Sequence, residues 1–329
     1  MNSTLQRLAG PGSPDHPLIG GCPPPSDLAS PHEKPDGRIV LLNEVGAIRG
    51  LVALWWDSVP GPGLTRAGAI GGFFATSESD THALLNGACD WLREQGCSQI
   101  IGPMNANTWQ RHRFVIETDG RPPYLLEPRN PPEWPDWWQS AGFTVLSRYS
   151  SSRLALDGEM SVPPALKQRL LRSGISIRAL RPDAFDEELR IIHAISLKSF
   201  SSNFLYTPLD EAAFLRSYAK VRERVDPDLV RLAERDGVPL GFVFAIRDWE
   251  AIAQGMKPDL IVKTLAVCPD SHCAGLGSLL IDEVHEIARA RGYDHAIHAM
   301  QHESNSSLRI TQRHQGAVFR RYALFTRES

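Results

Sequence analysis

The sequence predicts an α/β protein made of two similar units in tandem. Three observations lead there. The chain has 329 residues, more than the roughly 250–300 at which a single hydrophobic core stops growing. Its composition, 42% hydrophobic and 22% charged, is ordinary for a globular protein. Both halves also run through one series: strand, strand, strand, helix, strand, short helix, strand. That repeated order reads as an internal duplication of an α/β unit.

Residues 1–33 carry Pro11, Pro14, Pro17, Pro23, Pro24, Pro25 and Pro31 with little hydrophobic periodicity, and read as a flexible leader. Arg38 to Val45, Ala47 to Asp57 and Ala67 to Ala75 are β-rich runs that suggest an antiparallel meander. The period then changes. Asp80 to Gln95 places Ala83, Leu84, Ala88, Trp91 and Leu92 on one helical stripe, with Ser79 or Asp80 as N-cap and Gly96 as the stop. A buried strand at Cys97 to Ile101, a short helix near Glu133 to Ala141 and strands within Phe143 to Leu156 complete the first unit, 34–156. Residues 157–174, with Pro163 and Pro164, read as a linker holding at least one helical turn.

The second unit, 175–329, opens with a strand at Ile175 to Leu180. Helices follow near Asp183 to Ser199 and Leu209 to Arg224, capped by Asp183 and Thr207. Strands at Leu229 to Glu234 and Leu240 to Arg247 are joined by the turn Asp236-Gly237. A strand at Leu260 to Val267, a helix at Gly275 to Arg291, a strand at Asp294 to Met300, a short helix at Ser306 to His314 and a last strand at Val318 to Thr326 end the series.

Lys plus Arg total 35 against 38 for Asp plus Glu, so the net charge of -3 provides no global field for a polyanion, and nucleic acid is not an expected partner. The apolar stretch Ala47 to Trp56 contains Arg49 and is far shorter than the ~20 residues of a spanning helix. The first thirty residues lack the basic-then-apolar order of a secretory signal. Cys22, Cys89, Cys97, Cys268 and Cys273 are odd in number without a Cys-x-x-Cys pair, so neither a disulfide framework nor a metal site is suggested. A cytoplasmic protein with reduced thiols, monomeric or homodimeric, is the expectation.

The chemistry concentrates where the strand ending at Val267 meets the helix opening at Gly275-Leu276-Gly277-Ser278. A glycine-rich turn entering a helix presents free N–H groups and a positive dipole end, which suit a phosphate or pyrophosphate. A Walker loop would need Lys then Ser or Thr after its last glycine, and a dinucleotide fold a glycine directly after the strand; neither pattern is present. The run Leu265 to Leu280 resembles the acetyl-CoA motif of the GNAT superfamily: a strand ending in Val-x-Pro, then Arg or Gln, Gly, x, Gly, Leu or Ile, Gly, and a helix. Val267, Pro269, Gly275, Leu276 and Gly277 fit; His272 and Cys273 replace the usual Arg or Gln and the first Gly. The block Ala299 to Ser307 resembles the family's following strand end and Asn, and Arg320 to Phe325 its closing strand.

The resemblance covers about residues 175–329. It implies two tandem GNAT-like domains, each a mixed, mostly antiparallel twisted sheet flanked by helices. Residues 34–156 would be a degenerate copy, because Ala75 to Thr81 lacks any glycine where the loop would lie. The resemblance implies acetyl-CoA or another acyl-CoA as co-substrate, with no metal, and a cofactor site of Leu265, Ala266, Val267, His272, Cys273, Ala274, Gly275, Leu276, Gly277 and Ser278. Asn305 and Ser307 would meet the pantetheine arm.

In that scheme an amine attacks the thioester directly, so the protein must orient both reactants and handle a proton. The segment Ile310-Thr311-Gln312-Arg313 has no Tyr where many members carry one to protonate the leaving thiolate. His302, Glu303 and Tyr322 are the candidates for this proton work, and His302 has the alternative of simply bonding backbone. Lys263 and, in the acceptor groove, Tyr206 and Trp249 are substrate candidates. So are Trp109, Arg111 and Arg113, since two Arg beside a Trp could hold a carboxylate or phosphate; the alternative is that the aromatics cement the interdomain face. His295 and His298 read as structural. The expected activity is transfer of acetyl to a primary amine of a small molecule. Transfer to oxygen or sulfur, use of another acyl-CoA, and a non-catalytic CoA-binding module stay open beside it.

Overall fold

Short apolar runs punctuated by Gly and Asp-Gly turns become strands, and the stretches of helical period become helices. The computed structural model describes residues 4–9, 34–63, 65–158, 162–219, 221–269 and 273–328. The strands are β1 (Thr4–Ala9), β2 (Gly37–Leu42), β3 (Ile48–Trp55), β4 (Ala67–Ala75), β5 (Gln99–Gly102), β6 (Phe114–Thr118), β7 (Thr144–Ala155), β8 (Ile175–Ala179), β9 (Val230–Arg235), β10 (Val238–Arg247), β11 (Leu260–Val267), β12 (His295–His302) and β13 (Ala317–Glu328). The helices are α1 (Glu78–Glu94), α2 (Trp134–Ser140), α3 (Pro164–Arg172), α4 (Phe185–Ser199), α5 (Glu211–Ala219), α6 (Trp249–Ala253), α7 (Leu276–Ala290) and α8 (Leu308–Arg313).

The strands join in one sheet of order β1-β2-β3-β4-β5-β13-β7-β12-β11-β10-β9-β8, with β6 added on β13. Among the described residues only β4 with β5 and β11 with β12 pair in parallel; every other pairing there is antiparallel. The sheet is therefore mixed and mostly antiparallel, as the sequence predicts. The closing strands are exchanged: β13, last in the chain, lies between β5 and β7, and β7 pairs with β12 of the second series. A cut within 157–174 thus divides the chain but not the sheet.

Strand alternation explains why helices cover both faces. In β10, Val243 and Ala245 join Leu276, Leu279, Leu280 and Val284 of α7, whereas Phe242, Phe244 and Ile246 join Leu189, Ile192 and Ile195 of α4. In the first half, α1 sets Leu84, Leu85, Ala88 and Leu92 against Ile39, Val52 and Leu54. Burying a side chain such as these is worth about 1.5–3 kcal/mol.

Some local expectations need correction. Residues 4–9 of the anticipated leader form β1, an edge strand paired with β2, and Arg7 pairs with Glu94 and lies over the Trp91 ring; the other leader residues fall outside those described. The cap of α1 is Ser77, which accepts from Asp80 N. Helix α5 is steadied by Asp210, which accepts from Ala213 N at 2.9 Å, and not by Thr207. The linker carries a nine-residue helix, α3. Among the described residues, no helix is long and apolar enough to cross a membrane.

Candidate functional site

Two β-bulges face each other where β11 and β12 part. The parallel pairing covers only Leu260, Ile261 and Val262 against Ala296, Ile297 and His298. Immediately afterwards β11 carries one extra residue at Lys263, since Phe244 pairs with Thr264 and Ala245 with Val262. A bulge of this kind inverts the side-chain alternation: Leu260 and Val262 face α7 before it, Leu265 and Val267 after it. On β12 the extra residue falls at Ala299–Met300, between the pairs His298 with Ser152 and Gln301 with Ser150. Met300 adopts a φ of 50° there, an uncommon conformation for a side chain of that size.

Beyond the bulges the strands diverge into a cleft lined by residues that include Phe200, Lys263, Thr264, Leu265, Met300, Gln301, Asn305, Ser307 and Ile310. Among the described residues one edge of β11 from Lys263 to Val267 has no strand partner, so backbone groups on that edge are open to whatever enters. At the Val267 end stands the N-terminus of α7. Gly275, with φ of 95°, is its cap, and no acidic residue occupies its first turn. Two cations flank this turn: Arg235 Nη2 lies 3.1 Å from Cys273 Sγ and Arg313 Nη1 3.3 Å from Ser278 Oγ. The helix dipole and both guanidinium groups favour an anion here. A Cβ on Gly277 would stand 3.5 Å from Leu265, 3.6 Å from Ile310 and 3.7 Å from Val267, inside the mouth of the cleft.

The corresponding place in the first half is closed. Strands β4 and β5 also pair in parallel over three positions, and β4 is irregular just beyond, between its pairs with Leu51 and Ala53. Here, however, Met104 N bonds Ile70 O at 2.8 Å and Gly72 N bonds Asn105 Oδ1 at 3.0 Å, so the chain after β5 fills the gap. The start of α1 holds its own anion: the Asp80 carboxylate, buried, accepts from Arg49, Thr76 and Ser77.

The cofactor residues expected from sequence gather around the cleft with distinct parts. Leu265, Asn305 and Ser307 line it. Asn305 Oδ1 accepts from Ser307 N at 2.9 Å, and Ser307 Oγ accepts from Gln301 Nε2 at 2.7 Å. Val267 and Leu276 pack toward α7's core, Ala266 points to the opposite one, and Ala274 is exposed. Cys273 is buried under Arg235. His272 lies outside the described residues. Sequence reading assigns no role to Arg235 or Arg313; each is an isolated basic residue on a different element, and only the fold brings them to one turn.

The expected proton carriers do not converge. His302, on the face of β12 opposite Gln301, is fixed by Ser304, whose N–H donates to Nδ1 at 3.1 Å, and by Ser147 Oγ, 2.8 Å from Nε2, with Phe204 stacked on the ring. Burial, with Arg113 adding to it, holds its pKa below the ordinary value, so the imidazole is neutral at pH 7. Glu303 is exposed and accepts from Arg148 N at 3.3 Å. Tyr322 is fully buried on β13, bonded to Glu127, Ser151 and Tyr124; burial, then Tyr124 and Glu127, push its hydroxyl well above the usual range. It has no path to a substrate.

The acceptor candidates separate likewise. Lys263 lines the cleft, with Nζ 3.4 Å from Tyr218 Oη. Trp249 begins α6, just after Arg247, which pairs with Leu260 at the far end of β11 from the cleft. Trp109 donates from Nε1 to Thr207 O at 2.7 Å and packs on Phe214, so it cements the junction between the halves. Tyr206 packs beside it. Arg111 is exposed. Arg113 reaches the β12 bulge, donating to Met300 O at 3.4 Å with its guanidinium 4.1 Å from the Tyr149 ring centroid.

Beside the cleft His298 bonds Thr311 Oγ1 at 2.7 Å and His285 at 3.2 Å. With His314 these form an imidazole cluster, of which sequence reading treats His298 as structural; among the described residues no His, Cys, Asp or Glu group is arranged to hold a metal.

A family model described as Acetyltransferase (GNAT) family matches residues 190–316. Protein YghO of Escherichia coli (strain K12) is 28% identical over 194 residues, which are 56% of this chain and 48% of that protein. Bacterial ceramide synthase of Caulobacter vibrioides (strain NA1000 / CB15N) is 24% identical over 183 residues, 55% of this chain and 47% of that protein. The match thus spans about half the length of these curated relatives. A solved tandem GNAT protein from the clavulanic acid biosynthesis pathway superposes with a TM-score of 0.53 at 12% identity, covering 99% of this chain and 98% of that one; at that identity the likeness concerns the fold.

Proposed function

Because a model of the GNAT acetyltransferase family matches residues 190–316, we propose that the chain transfers an acyl group from acyl-CoA to a primary amine by direct attack. The observation that carries this reading is the unpartnered edge of β11, which runs from the cation-flanked start of α7 to the paired bulges at Lys263 and Met300. Four residues at strand rise span about 13 Å, a path for an extended arm whose anionic end rests on the helix. The acyl-CoA supplies the activated carbonyl. The chain's part is to hold its phosphates at Gly275–Ser278 with Arg235 and Arg313, and to flank its arm with Leu265, Asn305 and Ser307. A backbone N–H on the open edge of β11 then donates to the carbonyl oxygen as negative charge develops.

Among the described residues no carboxylate lines the cleft, and both His302 and the cleft-lining His298 are engaged on both nitrogens. The attacking amine therefore enters in its neutral form, with water taking the proton. The first half, whose gap is filled and whose helix start is occupied by Asp80, contributes shape and the exchanged strand β7 but no second cofactor site.

A specific similarity favours a second reading of the partners. A ceramide is an amide of a long-chain amine, so the relative named bacterial ceramide synthase points to an amino-lipid acceptor and a longer acyl group. Isothermal titration with CoA, followed by thiol release from acetyl-CoA and palmitoyl-CoA against small amines and sphinganine, tests both. We expect one CoA per chain and turnover with one acyl-CoA and one amine class. Absence of CoA binding would overturn the proposal, and binding without thiol release in any combination would leave a binding module.

A further inference from the structure

Arg113 is a cation without a counter-charge. Its contacts are the long bond to Met300 O and the face of Tyr149, and its Nε is shielded from solvent without an acceptor. Among the described residues no Asp or Glu pairs with it, although most other guanidinium groups drawn inside this protein have such a partner, as Arg153 has Asp259 and Arg178 has Glu188. Leaving a donor of a charged group unsatisfied and away from water is costly. The Nε of Arg231, Arg247 and Arg320 is also unbonded, but each of those side chains has a carboxylate within 4 Å, which Arg113 does not.

The backbone tells the same story. Arg113 has a φ of 72°, and Ala106, Leu205 and Met300, which share one apolar cluster with Met104 and Tyr149, have φ of 63°, 53° and 50°. Positive φ at side-chain-bearing residues is strained, and such strain persists where surrounding structure holds a site in place. Of these four, Met300 lines the cleft and Arg113 bonds its carbonyl. The hydroxyl of Tyr206, beside Trp109 at the junction of the halves, is a second buried polar atom without a partner. The nearby imidazoles of His112 and His302 are both kept toward their neutral forms, chiefly by burial, so neither adds a second positive charge beside Arg113.

We propose that Arg113 binds a carboxylate carried by the reacting pair on the far side of the thioester, either on the amine acceptor or at the end of the acyl group. Guanidinium and carboxylate are both planar and can meet through two parallel hydrogen bonds, and the ring of Tyr149 beneath holds the guanidinium flat. This rests on the acyl-transfer reading for its position. It favours amino acids, or dicarboxylic acyl groups, over neutral amines and simple fatty acyl groups.

The test uses the full chain and matched pairs of probes. One arm compares leucine, alanine and phenylalanine with their amides as acceptors of acetyl-CoA. The other compares succinyl-CoA with butyryl-CoA. We expect the acidic member of at least one pair to be favoured about 100-fold in kcat/KM, that preference to fall to under about 3-fold in Arg113→Met, and Arg113→Lys to restore part of it. A second readout needs no turnover: the favoured amino acid, or succinate, should raise the thermal midpoint of the wild type and not that of Arg113→Met, while the midpoint shift given by CoA stays the same in both. Equal preference for acid and amide, or a preference unchanged in Arg113→Met and Arg113→Gln, would overturn the assignment. If no acyl-CoA releases thiol, the acyl-transfer reading fails, and the midpoint shifts still decide Arg113.

Discussion

Ser151 Oγ accepts the backbone N–H of Met300 at 2.8 Å, and through that bond β7 holds the bulge that opens the cleft in β12. The same hydroxyl lies 2.8 Å from Tyr124 Oη and 2.9 Å from Tyr322 Oη. A serine has one proton to give and two lone pairs, and the count closes. Tyr124 donates to Ser151, Ser151 to Tyr322, and Tyr322 to Glu127. Glu127 is itself buried, and burial raises its pKa despite Tyr322 and Arg320.

Ser151→Ala should therefore leave the Met300 N–H without an acceptor and break the tyrosine chain. Each buried orphan costs about 1–3 kcal/mol. We expect a clear fall in the denaturant midpoint together with a loss of CoA affinity, because the bulge loses its support. Retention of both would show that the bulge is held by other contacts.

The two glycines at the start of α7 should respond differently to a methyl group. A Cβ at Gly275 would stand 2.7 Å from Leu166, at a φ of 95°, so Gly275→Ala combines a clash with the roughly 1–2 kcal/mol cost of a left-handed conformation and should destabilise the fold. Gly277 sits at the cleft mouth, where a Cβ meets only ordinary contacts. Gly277→Ala should keep its folding stability within about 0.5 kcal/mol and weaken CoA binding several-fold. Titration of CoA into both variants separates the effects; full affinity in folded Gly277→Ala would move the cofactor path elsewhere.

What the sequence made legible was local. The strand ending at Val267, the glycine turn before Leu276 and the Asp236-Gly237 turn are each encoded in a few adjacent residues. The exchange of β7 and β13 was not, because pairing partners such as Tyr149 and Tyr322 leave no periodic trace. Tyr322 looked available for proton transfer until the fold brought Glu127, 195 residues away, against it. Trp249 failed for a similar reason: an aromatic after a strand does not announce which end of the neighbouring strand holds the cleft. Arg113 sat in an irregular segment without pattern, and only its positive φ and missing partner single it out from Arg111.

Acid should weaken the protein through the imidazole cluster. Burial, with His314 adding to it, lowers the pKa of His298 from 6.5 to about 3, and burial also lowers that of His285 well below 6.5. Both folded values lie below the unfolded one, so the neutral forms stabilise the native state above pH 6.5. That stability is lost as pH falls from about 6.5 toward 3, by up to about 1.4 kcal/mol per pH unit for each histidine. Denaturant midpoints at pH 7, 6, 5 and 4 should fall along this course, and His298→Gln should flatten the slope by about one proton. An unchanged slope in that variant would assign the acid sensitivity to the carboxylates.

The exchanged strands make a prediction about assembly. Residues 175–329 alone lack β7, which pairs with β12, and residues 1–174 alone lack β13, which fills the space between β5 and β7. Each fragment would present unpaired strand edges and bared core residues such as Tyr322 or Phe143, a recognised route to aggregation. Expressed separately, both should be insoluble or self-associated. Expressed together, they should co-purify as a one-to-one complex whose CoA affinity approaches that of the intact chain, as size-exclusion chromatography and titration can establish. A monomeric, CoA-binding 175–329 fragment would mean that β13 can fold back beside β12 in place of β7, and that the exchange serves the junction around Arg113 more than the cofactor site.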